Sequence, residues 1–163
     1  MISLSMSNTY TVQCIKPDGT LRWEQTIKNN LTDEGLRYAL IRLLQENSYN
    51  GTLYVGLKAE GSMAQSDTLA SHPGWEEWDY YVEGERQELE LGPVLLPASY
   101  NNWYSPALFL LENYTDISGI FLTTSKTGTS GILVAVADFP APLPTNSGDT
   151  LKVMITVSME NPS

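Results

Sequence analysis

The chain has 163 residues, nine basic against nineteen acidic, and its formal net charge of −10 is spread along its length. That length fits one domain, residues 1–163, able to bury a core without disulfides or metal. The charge excludes the basic footprint that nucleic-acid binding needs and disfavours anionic membrane surfaces.

No apolar run reaches the roughly 18 residues of a membrane-spanning helix, and MISLSMSN has neither the basic nor the long apolar region of a signal peptide. Thr9 to Lys16 alternates as a strand, Pro17-Asp18-Gly19 signals a turn, and Leu21, Trp23, Gln25 and Ile27 continue on one face. Residues 9–28 therefore read as a hairpin. The single Cys14 reads as a small buried hydrophobe, and one thiol cannot form a bridge within the chain.

Thr32 is placed as an N-cap, with Asp33 and Glu34 at the positive end of the helix dipole. Leu36, Ala39, Leu40, Leu43 and Leu44 follow at helical spacing, predicting one amphipathic helix over about 32–47 whose stripe packs on a sheet. Asn47 to Gly51 is turn chemistry. Thr52 to Lys58 reads as a strand with Leu53, Val55 and Leu57 on one side and a gap at Gly56 on the other. A long polar loop, about 59–80, follows and is expected to enter a sheet near Tyr81.

Tyr80 to Leu91 is partly strand-like, and Pro93 and Pro97 bracket a short edge piece, Val94-Leu95-Leu96. A second aromatic loop runs from Asn101 to Pro106. Strands are predicted at 107–112, 117–124 and, buried on both faces, 132–139. Pro140 to Asp149 reads as a connector. The alternation of Leu151, Val153, Ile155 and Val157 with polar neighbours makes the last strand the clearest. The fold class expected is mainly β: an antiparallel β-sandwich, jelly-roll-like, with one helix packed on it and an immunoglobulin-like sandwich as runner-up.

Chemistry has little foothold in these residues. Glu76 and Glu77 are adjacent, so in extended backbone their carboxylates diverge. Asp67, His72 and Glu76 or Glu77 lack the ligand types of a transition-metal site, although loop carboxylates and carbonyls also suit calcium. No phosphate-cradling glycine string or nucleophile motif occurs, so no enzyme and no cofactor is expected. The stronger signal is aromatic: Trp75, Trp78, Tyr80, Tyr81, Trp103 and Tyr104 lie on loops, where rings either anchor the loop, meet a protein partner or stack on a sugar. His72 reads as a brace beside Pro73-Gly74.

Several stretches carry a resemblance: Leu31-Thr32-Asp33-Glu34-Gly35-Leu36, Leu53-Tyr54-Val55-Gly56-Leu57, Ser66-Asp67-Thr68-Leu69-Ala70-Ser71-His72-Pro73-Gly74-Trp75 with Glu77, Tyr81 and Arg86, then Ile120-Phe121-Leu122, Val136-Ala137-Asp138-Phe139 and Gly148-Asp149-Thr150-Leu151-Lys152-Val153. Their order over most of the chain resembles a family of small virion structural proteins of tailed bacteriophages. The resemblance implies a capsid decoration or cement protein on the outer surface of the head, assembled in the bacterial cytoplasm. It implies a homo-oligomer, commonly a trimer, that bridges subunits of the major capsid protein and carries no catalytic residues. A tail or fibre protein with a host-glycan role is the alternative. Asp67, His72, Trp75, Trp78, Tyr81, Arg86 and Trp103 are the residues expected to form the interface or to brace the loops.

Overall fold

The computed structural model describes residues 5–44, 51–93, 95 and 99–160. In chain order they form β1 (Ser5–Ile15), β2 (Leu21–Lys28), β3 (Asn30–Leu31), α1 (Asp33–Leu44), β4 (Tyr54–Gly61), β5 (Trp75–Trp78), β6 (Gln87–Glu88), β7 (Ser99–Asn101), β8 (Ala107–Leu110), β9 (Ile117–Thr123), β10 (Leu133–Leu143) and β11 (Thr150–Glu160). Two antiparallel sheets result. The first runs β2-β1-β11-β7, with β8 also on β11; the second runs β3-β10-β9-β4-β5, with β6 also on β4. Among the described residues no helix is long and apolar enough to cross a membrane.

Period-two alternation sends one face of each sheet into a shared core, as strands require. Tyr10, Val12 and Cys14 of β1 and Leu151, Val153 and Ile155 of β11 meet Val55, Leu57, Ile120, Leu122, Ala135 and Ala137 of the second sheet. Two antiparallel sheets around one such core fit a β-sandwich.

The N-terminal hairpin forms as the turn chemistry dictates. Gly19 takes a φ of 86°, and its N–H donates to the Lys16 carbonyl at 2.9 Å. Cys14 faces Trp23 while Ile15 faces Leu21, which leaves Arg22 as the extra residue of a β-bulge. The bulge re-aims Arg22: its Nε and Nη2 donate to the two oxygens of Asp149 at 2.7 and 3.1 Å. That carboxylate, fully buried, also accepts from the Asn146 amide at 2.8 Å and the Cys14 thiol at 3.4 Å. Burial pushes the Asp149 carboxyl up, but the bonds from Arg22, Asn146 and Cys14 and the Arg22 charge outweigh it and leave it below the ordinary value of 3.8. Burial, and then the Asp149 charge, push the Cys14 thiol up to about 12, so it stays an inert core residue.

Thr32 caps α1 as expected, accepting the Gly35 N–H on its Oγ1 at 2.9 Å and donating to the Leu133 carbonyl. Glu34 accepts the amides of Leu133 and Leu69 at 2.8 and 3.3 Å, so the first turn is tied to both β10 and the central loop. Gly35 lies directly on the Val134 backbone, where a Cβ would overlap the carbonyl. This contact decides the rotation of the helix. Gly35 and Tyr38 face the sandwich; of the apolar stripe expected to pack on the sheet, Ala39 is half-buried and Leu36, Leu40 and Leu44 face solvent instead, while the Leu43 side chain lies outside the described residues. Leu36 is 41% exposed, Leu40 57% and Leu44 72%, with Ile41 beside them at 39%. Periodicity reports that a stripe is apolar, not what covers it.

Three other expectations are corrected. The central loop spans 62–74 and returns to the sheet at Trp75, because β5 pairs with β4 there; Tyr81 makes only an isolated bridge to Leu111. The strand content expected within the partly strand-like stretch 80–91 shrinks to β6. β10 continues through Pro140 and Pro142 to Leu143, where a connector was expected, after a shift of register that re-pairs Leu143 with Ile117. The last turn expected of the helix, the turn from Asn47 to Asn50, and Val94, Leu96 and Pro97 lie outside the described residues.

Two outcomes test these contacts. Gly35→Ala lowers unfolding free energy in urea titration by about 3 kcal/mol, because rigid backbone must move to admit a methyl group. Asp149 contributes stability that is complete above its ordinary value of 3.8 and is lost as pH falls beneath it, because the folded state holds the carboxyl lower. Asp149→Asn therefore costs about 3 kcal/mol near pH 7, and the gap from the parent protein narrows in unfolding titrations taken toward about pH 2.

Candidate interaction surfaces and the residues that brace them

The second sheet is apolar on both faces. β9 is buried at every position, with Ile120 and Leu122 in the shared core and Phe121 on the reverse face. The Phe121 ring fills the space beside Gly56, where a Cβ would collide with it. Loop 62–74 folds over this reverse face and closes a second small core of Leu69, Trp75, Phe121, Leu133 and Val136, flanked by Met63.

Trp75 is the keystone of that cover. Its Nε1 donates to Asp67 at 3.0 Å, and the same carboxylate oxygen accepts the Ala64 amide at 2.8 Å. His72 stacks on the indole with centroids 4.0 Å apart and an interplanar angle of 19°. Its Nδ1 lies 2.9 Å from the Trp75 carbonyl, which can only accept, so that nitrogen carries a proton. Asp67, His72 and Trp75 thus brace the loop from within.

Beneath them lies a charge that sequence reading missed. The Lys58 side chain is fully buried, and its Nζ sits 3.1 Å from Asp138 Oδ1. It also donates to the carbonyls of Ala59 at 3.3 Å and Gly61, and to Ser118 Oγ at 3.4 Å. Lys58 and Asp138 both register against Gly119, so the lysine crosses a residue that has no side chain. These partners offset the desolvation of the ammonium. Alternation in TLYVGLK places Lys58 opposite Leu57, the face that reads as solvent; nothing local announces that a loop will cover it.

Arg86 makes a two-pronged bond to Glu77, Nε to Oε1 at 2.9 Å and Nη2 to Oε2 at 2.7 Å, while Nη1 donates to the Ser125 carbonyl at 2.8 Å. Its guanidinium lies 5.4 Å from the Phe121 ring centroid. Glu77 is occupied by this pair and Glu76 is exposed, so the adjacent carboxylates serve different surroundings. Trp78 and Tyr81 turn the other way, into the shared core. Their rings stack at 6.3 Å, and Tyr81 meets Phe109 edge-on at 4.9 Å. Burial, and then the Glu77 charge, push the Tyr81 hydroxyl above its ordinary range.

Trp103 alone of the seven expected residues is mostly outside, 60% exposed, next to Tyr104 at 97%. Their loop is nevertheless held firmly. The buried Asn102 donates to the Val153 carbonyl at 3.1 Å and accepts the Ile155 amide at 2.6 Å, clamping the loop to β11. Trp103 N–H donates to Asn101 Oδ1 at 3.0 Å.

The structure therefore separates the seven residues by environment. Asp67, His72 and Trp75 cover the second sheet, Arg86 ties β5 to the 124–131 loop, Trp78 and Tyr81 fill the core, and Trp103 is presented to solvent. Among the described residues the open apolar surfaces include the α1 stripe, the Trp103-Tyr104 loop and the outer side of β8 at Leu108 and Leu110, beside Val82. Among the described residues no group of three or more His, Cys, Asp or Glu side chains is placed to hold a metal ion. No family model, no curated protein and no solved structure matches the chain.

The difference in environment gives opposite outcomes for two tryptophans. Trp75→Ala costs about 3–5 kcal/mol in chemical unfolding, whereas Trp103→Ala stays within about 0.5 kcal/mol of the parent.

Proposed function

We propose that this chain is a virion structural protein of a tailed bacteriophage, a decoration or cement protein of the outer capsid surface that bridges subunits of the major capsid protein. The reading combines the sequence resemblance with one observation, the α1 stripe of Leu36, Leu40, Ile41 and Leu44 held in solvent by the Gly35 contact. Solvent-exposed apolar surface of this kind on a firmly packed scaffold is typical of a docking face. The role is interfacial and non-enzymatic, and its agent is a preformed shape. Binding only the assembled lattice draws the equilibrium away from disrupted shells, as any native-state ligand does.

In this reading the chain sits as a trimer at positions of local threefold symmetry, and its net charge of −10 keeps the outward face soluble. The same reading takes the finer fold as jelly-roll-like, which the pairing of β1 with β11 and of β3 with β10 supports. A tail or fibre protein with a glycan-binding role is a second reading, favoured by the exposed Trp103 and Tyr104.

The test is co-sedimentation of purified protein with immature and expanded capsids. Binding is expected to expanded capsids alone. Replacing Leu36, Leu40 and Leu44 together by Ser is expected to weaken it about a hundredfold, as loss of a hot-spot cluster does, while the thermal midpoint stays put. Equal binding to both capsid forms, or full binding by the triple variant, contradicts the proposal.

A further inference from the structure

The loop that carries Trp103 and Tyr104 borders a shallow, open cavity of about 160 Å³ lined by Glu90, Gly92, Asn101, Tyr104 and Ser105 among others. Its frame is built: Gly92 N–H donates to the Asn101 carbonyl at 2.8 Å, Ser105 N–H to the Asn102 carbonyl at 3.0 Å, and the Asn102 side chain spans to both Val153 and Ile155. Three polar groups at this cavity have no partner among the described residues: the Glu90 carboxylate, the Asn101 side-chain N–H₂ and the Ser105 hydroxyl. A clamped loop thus holds two large rings in water beside unused donors and acceptors. Two adjacent exposed rings on a clamped loop offer flat apolar faces suited to stacking.

We infer that this loop and cavity form a saccharide-binding site, with a ring of Trp103 or Tyr104 stacking on the apolar face of a sugar while Asn101, Ser105 and Glu90 bond its hydroxyls. The inference rests on the second reading above and names its site and ligand class. Size and charge select the ligand. The cavity is about half the roughly 300 Å³ at which drug-sized ligand pockets begin, so it takes one ring of a longer glycan. The Glu90 carboxylate and the net charge of −10 select neutral or amine-bearing sugars over sialylated, sulfated or phosphorylated ones. Rings supply contact area at low entropic cost, while the amide and hydroxyl set orientation.

The experiment uses the full chain on a broad glycan array, followed by titration of the soluble oligosaccharide of the best hit against the parent, Trp103→Ala, Tyr104→Ala and Asn101→Ala. Neutral or amino-sugar glycans are expected to bind, and removal of the stacking ring, Tyr104 in the cavity wall or Trp103 beside it, to weaken binding at least about tenfold, with the thermal midpoint unchanged because both side chains are exposed. Glycan binding that survives both aromatic variants overturns this site but leaves the second reading standing. Silence across the array overturns both. Binding confined to anionic glycans contradicts the charge argument and with it the assignment, and capture of virion proteins through Trp103 with no glycan bound identifies the loop as a protein contact instead.

Discussion

Both faces of β9 are buried, and the two-sheet arrangement can cover only one of them. The reverse face exposes Phe121, Val136 and Leu133 unless something other than a sheet lies on it, and loop 62–74 does so with Leu69 and Trp75 as its inward side chains. Much of the molecule follows from that requirement. The loop must be long enough to cross the sheet, must return at β5, and must bring its own polar groups to partners, which is why Asp67 and His72 are spent on Trp75 rather than offered to solvent.

Three ion pairs, each with one fully or nearly fully buried partner, fix further connections. Arg22 with Asp149, Lys58 with Asp138 and Arg86 with Glu77 each join a strand to a neighbouring loop or strand that regular pairing does not secure. Such pairs add little net stability over apolar replacements, because desolvation cancels much of the attraction, but each tolerates only one arrangement. Their effect is placement. Placement of this kind also lies beneath the α1 stripe and the Trp103-Tyr104 loop, two apolar surfaces that tight contacts hold open to solvent.

Legibility divides along the same line. The hairpin 9–28 and the strand from Leu151 were readable because their alternation and turn residues are local, and the Thr32 cap was readable because capping involves neighbours in sequence. The return at Trp75 was not: WEEW has two rings three apart, which in a strand lie on opposite faces, and no local rule says that each face has a core. Pro140 and Pro142 argue against a strand beyond Phe139, yet a break in pairing after Asp138 lets β10 accommodate them. The aromatic residues were recognised as a group, but the distinction between Trp75, buried against Phe121, and Trp103, in water, depends on contacts with residues far along the chain.

The amino-acid sequence by itself determined the β-rich class, the antiparallel habit, the single capped helix and the acidic surface, because these depend on period, turn chemistry and composition within a few residues. Only the tertiary structure decided which apolar faces are covered. The reason is that burial is a property of pairs: Gly35 on Val134 turns the leucine stripe outward, and the reverse face of β9 turns a polar loop into a lid.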